Sequence, residues 1–165
     1  MMIIVAFLAA LFSSPAPVSP EVAKLGAFLG DWKLTSEPIA GSSPERVRVD
    51  IHCGWSAMGE YLVCSQKPEG APHAPEILCI YRYDTERKGY VFTNFTPTGD
   101  PAEMQLAIDG NTWNYTSEQE GNGKKQHVRT IDVFTSPNEV TYTYARSDNG
   151  TDWTTQGRGK IMKQP

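Results

Sequence analysis

The stretch Leu25-Gly26-Ala27-Phe28-Leu29-Gly30-Asp31-Trp32-Lys33-Leu34 marks the only change of structural period in the chain. Ahead of it, Ser19 suits an N-cap, Pro20 the first helical position and Glu21 the first turn, where a negative charge complements the helix dipole. Val22, Leu25, Phe28 and Leu29 fall on one face of a short helix, and Gly30 supplies a left-handed stop. Behind it the apolar period is two: Trp32 and Leu34 alternate with Lys33 and Thr35. Val47, Val49, Ile51, Cys53 and Trp55 alternate with Arg48, Asp50 and His52.

The same alternation recurs in about ten short segments separated by turn residues. Examples are Ala57-Met58-Gly59, Asp84 to Gly89, Asp109-Gly110-Asn111, Glu120 to Lys125, Ser136 to Glu139 and Asp148-Asn149-Gly150. Connections this short join neighbours as hairpins, without the long crossovers of a Greek key. The expected fold is therefore all-β: an up-and-down antiparallel β-barrel of about ten strands with a short N-terminal helix, favoured over a sandwich. With 165 residues and no internal composition shift, residues 19–165 form a single barrel domain.

Residues 1–18 carry the apolar run Ile3 to Phe12, too short to span a bilayer, followed by small residues, as in a signal peptide. An uncleaved anchor is the alternative, since no Lys or Arg precedes the run. Both deliver the domain across a membrane, to a secreted or periplasmic compartment; once the segment is processed, no stable membrane insertion is expected. Cysteine usage agrees. If the hairpin turns near Ala57-Met58-Gly59 with residue 57 facing 60, residue 53 faces 64, so Cys53 and Cys64 are set to form a disulfide across two strands. Cys79 is left as a core thiol. A formal charge of −4 without a basic face excludes a nucleic-acid partner.

No catalytic constellation stands out. His52, His73 and His127 form no metal motif, and three cysteines without metal-ligand spacing make no zinc site, so no metal and no cofactor is expected. What remains is aromatic. Trp55, Tyr90, Phe92, Trp113, Tyr115, Tyr142 and Tyr144, with Met104 and Leu106, lie on the faces expected to point inward. A ten-stranded barrel is wide enough for a ligand cavity, expected to exceed ~300 Å³. The candidate ligand-binding residues are Trp55, Tyr90, Phe92, Met104, Trp113, Tyr115, Tyr142 and Tyr144, holding a small lipophilic molecule without catalysis. Two alternatives remain: a packed-core structural or interaction domain, and an enzyme using the barrel mouth, with Asp50, His52, Glu60 and Arg82 candidates by residue type alone.

The opening Phe28-Leu29-Gly30-Asp31-Trp32-Lys33-Leu34 resembles that of lipocalins and fatty-acid-binding proteins, the calycin superfamily, where Gly-x-Trp begins the first strand and the Trp closes one barrel end. In lipocalins an Arg near the last strand often stacks on that Trp; the resemblance assigns barrel closure to Trp32 and Arg158. Cys53-Gly54-Trp55-Ser56, Gly59 to Cys64, Tyr81-Arg82-Tyr83-Asp84, Gly110-Asn111-Thr112-Trp113 and Trp153-Thr154-Thr155 resemble a family of secreted bacterial proteins classed as a domain of unknown function. That resemblance implies the barrel and no activity. Nitrobindin-type haem barrels share the Gly-x-Trp opening but carry a haem-ligating His near the C-terminus; here the last His is His127. Fatty-acid-binding proteins hold a carboxylate with Arg-x-Tyr in the last strand, which Arg158-Gly159-Lys160 lacks.

Overall fold

The computed structural model describes residues 17–39, 46–70, 75–121 and 123–165. The apolar N-terminal run and His73 lie outside these residues. The chain enters through α1 (Pro20–Lys24), whose Ser19 cap accepts a hydrogen bond from the Val22 amide at 3.2 Å, and continues as a 3-10 turn, Leu25–Phe28. Gly30, at φ 100°, then redirects the chain into β1.

Ten strands follow: β1 (Gly30–Ser36), β2 (Arg48–Trp55), β3 (Tyr61–Pro68), β4 (Ile77–Asp84), β5 (Gly89–Phe95), β6 (Ala102–Asp109), β7 (Thr112–Gly121), β8 (Lys124–Ser136), β9 (Glu139–Ser147) and β10 (Thr154–Lys163). Each pairs antiparallel with its sequence neighbour, and β1 pairs with β10, closing an up-and-down barrel that leaves no free sheet edge. The β2–β3 register sets Cys53 opposite Cys64 and Trp55 opposite Leu62, and the two cysteines are joined as a disulfide. Cys79 is free and buried, opposite Cys64 on the next strand. The last strand starts at Thr154 rather than Thr151. The Asn149 side chain accepts hydrogen bonds from the Thr151 and Asp152 amides and holds that stretch as a loop.

The helical entry closes one end. Leu25 is fully buried, and the Phe28 ring meets Trp32, Trp113 and Phe134 with centroids 5.6, 5.1 and 4.9 Å away. The Trp32 indole donates to the Phe28 carbonyl at 2.8 Å, so the strand and the turn that plugs it are tied together. Two further bonds seat the helix: Tyr90 Oη donates to the Glu21 carbonyl at 3.1 Å, and the Val18 amide to Gly59 O at 3.2 Å.

Trp32 is buried against Phe28 at this end, and the cation over its ring is Lys163, not the Arg158 that the resemblance assigned. Side chains alternate across a strand. In β10, Ile161 faces inward and Lys163 lies opposite Trp32, with Nζ 5.2 Å from the ring centroid. Arg158 has the other parity, faces outward, and pairs with Glu37 at 2.9 Å.

The inward positions of β10 facing Tyr142 and Tyr144 are glycines, Gly159 and Gly157. A Cβ on Gly159 would stand 2.2 Å from the Thr35 carbonyl oxygen and 2.9 Å from the Tyr142 ring. Backbone cannot yield cheaply there, so Gly159→Ala is expected to destabilise the barrel by about 1–3 kcal/mol, the usual cost of overpacking. Urea unfolding measures this; an unchanged midpoint would contradict the close approach.

Candidate functional site

Above the plug the interior is not filled. A cavity of about 150 Å³ lies between the Phe28 layer and the end at which residues 96–101 join β5 to β6. Its volume is half the ~300 Å³ expected from a ligand barrel. The reason is side-chain size. Leu25, Phe28, Trp32, Trp113, Tyr90 and Leu106 pack the lower interior solid, and Tyr81, Phe92, Tyr115 and Tyr142 project into what is left.

The walls are mostly apolar: Phe28 from the turn, Leu34 from β1, Ile51 from β2, Phe92 from β5, Met104 from β6, Ile161 from β10, and the Cys53–Cys64 disulfide. The polar groups converge from five strands: Gln66 from β3, Tyr81 from β4, Tyr115 from β7, Thr130 and Asp132 from β8, and Tyr142 from β9. Register explains the cluster. Tyr115 lies opposite Thr130, Trp113 opposite Asp132, and Asp132 opposite Tyr142. Three adjacent strands thus present their inward side chains at one level. Gln66 Nε2 is directed onto Cys79 Sγ at 3.3 Å.

Asp132 is the charge-bearing group of this wall, and it is 6% exposed. Removal from water disfavours the carboxylate, and burial pushes its pKa up to about 7, with Tyr115 opposing the shift. Burial also raises Tyr81 and Tyr115 well above the usual phenol range, reinforced by the carboxyl nearby, so both stay protonated. Tyr142 shifts in the same direction for the same reason. The Tyr115 hydroxyl is buried and makes no well-formed hydrogen bond, although Asp132 and Tyr81 lie near enough to influence its ionisation. No Lys, Arg or His appears among the described residues lining this space.

Of the eight residues singled out from the sequence, Phe92, Met104, Tyr115 and Tyr142 line the cavity. The other four are placed elsewhere. Trp113 lies in the plug layer against Phe28, and Tyr90 is spent on anchoring the helix. Trp55 packs beside Gly26, where an added Cβ would be 3.2 Å from the indole. Tyr144 sits nearer the other end of β9, its hydroxyl accepting from Arg146 Nε at 2.6 Å. The residues considered for chemistry at the mouth do not line the cavity. Asp50 pairs with Lys33 at 3.2 Å, His52 with Asp31 at 2.6 Å, and Arg82 with Asp84 at 3.0 Å; Glu60 is exposed in the β2–β3 turn at the plugged end.

Asp132 itself was not singled out by sequence reasoning. The signal available was its parity, shared with Val128, Thr130 and Phe134. Its strand carries Ile131 and Val133 on the opposite face, so alternation alone does not say which face is inside.

No protein-family model matches the chain, and no curated protein matches it. Its fold is similar to that in the crystal structure of Rv2717c from M. tuberculosis, at 12% sequence identity and a TM-score of 0.57. The match covers 89% of this chain and 99% of that one. This likeness concerns the fold.

The Asp132 environment makes a pH-dependent prediction. Its folded pKa is raised above the unfolded value, so the native state holds a proton that the unfolded state releases. Stability therefore falls as pH rises from about 4 to about 7 and levels off above that. Asp132→Asn removes the dependence. The variant is expected to gain on the wild-type protein across that window by an amount on the order of 2–4 kcal/mol at most. Urea unfolding at three pH values measures it; a constant difference between the two proteins would contradict the burial.

Proposed function

We infer that this protein is an exported calycin-like barrel that retains one small, mostly apolar molecule in its upper interior. The observation that carries the reading is the cavity: about 150 Å³, apolar over most of its wall, with polar groups gathered on one side. A void lined by apolar side chains at this volume is large enough for a benzene-sized guest. Pockets of this kind take orientation from a few convergent polar groups, here Asp132, Tyr115 and Tyr142.

Retention is favoured over turnover by the donor set. The cavity wall contributes one carboxyl group and tyrosines held protonated, and no second base or nucleophile converges on it among the described residues. Export is supported by the Cys53–Cys64 disulfide, since such bonds persist in oxidising compartments. Among the described residues no helix is long and apolar enough to cross a membrane.

Native mass spectrometry of detergent-free protein, isolated from the compartment that receives it, tests the reading. The expected spectrum shows a chain shortened at its N-terminus, two hydrogens lighter for the disulfide, and carrying a small excess mass that is lost on denaturation. A bare chain that is also not stabilised by benzene-saturated buffer would contradict ligand retention.

A further inference from the structure

We propose that the cavity selects a small organic ammonium compound, a primary or substituted alkylamine in its protonated form, and rejects carboxylates. The proposal rests on the reading that the barrel retains a ligand, and it names the chemical class. Three observations point there. The one ionisable group of fixed negative tendency on the wall is the Asp132 carboxyl, and no Lys, Arg or His among the described residues faces it. A guest carboxylate would thus meet like charge without a counter-ion, in surroundings that poorly solvate either.

The remaining wall is built of ring faces and edges. Phe28, Tyr81, Phe92, Tyr115 and Tyr142 surround the same space, with the Tyr81 and Phe92 centroids 4.9 Å apart and those of Phe92 and Tyr115 5.4 Å apart. Aromatic rings attract cations through their quadrupoles, and cages of such rings recognise ammonium groups. Finally, Tyr115 Oη lies beside the acid, near enough to act on both Asp132 and Tyr81. An ammonium group donating to Asp132 supplies the counter-charge that the fold withholds, while its alkyl part fills the apolar side formed by Leu34, Met104 and Ile161.

The groups able to influence Asp132 are few. Tyr81 (backed by Cys79) faces it from β4, Tyr115 from β7 and Tyr142 from β9; of these tyrosines the Glu37 charge, paired outside with Arg158, reaches Tyr142. The other strands contribute apolar side chains, Gln66, Thr130 and the disulfide. Binding of an ammonium ion therefore follows ionisation of a single acid and strengthens as pH rises through about 7.

Isothermal titration of the mature protein with cyclopentylamine, cyclopentanol and cyclopentanecarboxylate tests this with guests of similar shape. The expected order is amine, then alcohol, then acid. The amine alone should tighten between pH 5.5 and pH 8. Asp132→Asn should weaken the amine by roughly tenfold or more while leaving the alcohol within about threefold. The wild-type pH profile keeps the test intact should that variant fold poorly. Carboxylate binding as tight as the amine, or amine binding indifferent to both pH and Asp132→Asn, would overturn the proposal while alcohol binding upheld ligand retention. Binding of none of the three would overturn both.

Discussion

The contact between Phe28 and Trp32 organises this molecule. A ten-stranded barrel is too wide to be filled by short side chains, so one end must be stoppered by something other than the strands. The stopper is a single turn of chain just ahead of β1, fixed by the indole hydrogen bond back to the Phe28 carbonyl. Around it Trp113 and Phe134 complete a layer of edge-on and tilted rings. Such pairs add roughly 0.5–1.5 kcal/mol each beyond area burial. The layer divides the interior into a solid lower half and an upper half with space.

What the upper half can hold follows from two features of the surrounding strands. The glycines of β10 let Tyr142 and Tyr144 lie close against the neighbouring backbone. β8 places Asp132 at the level of the plug's upper surface, opposite Trp113 on one side and Tyr142 on the other. An isolated carboxylate is costly in such surroundings, and the acid responds by holding its proton to near neutral pH. A mostly apolar cavity wall whose polar groups are one weakly ionised acid, unionised phenols, Gln66 and Thr130 is chemically distinct from one built around a cation. The resemblance to fatty-acid-binding proteins lies in the opening of the first strand, while the cavity lining carries no Lys, Arg or His among the described residues.

Much of the fold was legible because period-two alternation and turn residues are local signals. Cys53 and Cys64 paired as expected from a hairpin in which residue 57 faces 60, the register that sets 53 opposite 64. Parity also shows why Arg158 could not serve Trp32: it lies one position off the inward set, and Lys163 occupies the register opposite the indole. The site was harder to read. Alternation identifies faces but not levels along the barrel, so Trp55, Tyr90 and Trp113 could not be separated from Phe92, Tyr115 and Tyr142 before strand pairing was known. Asp132 was masked by Ile131 and Val133, which make the outer face of β8 as apolar as the inner one. Cavity volume depends on how rings from several strands interdigitate, which no single segment encodes.

A buried acid faces a mostly apolar chamber above the plug. Carbon-13 NMR titration of the Asp132 side-chain carboxyl, identified by its loss in Asp132→Asn, measures this directly. The account predicts a midpoint near the value of about 7 set by burial. A midpoint near the ordinary aspartate value of about 3.9 would show that water solvates the group, and would contradict the account of the chamber.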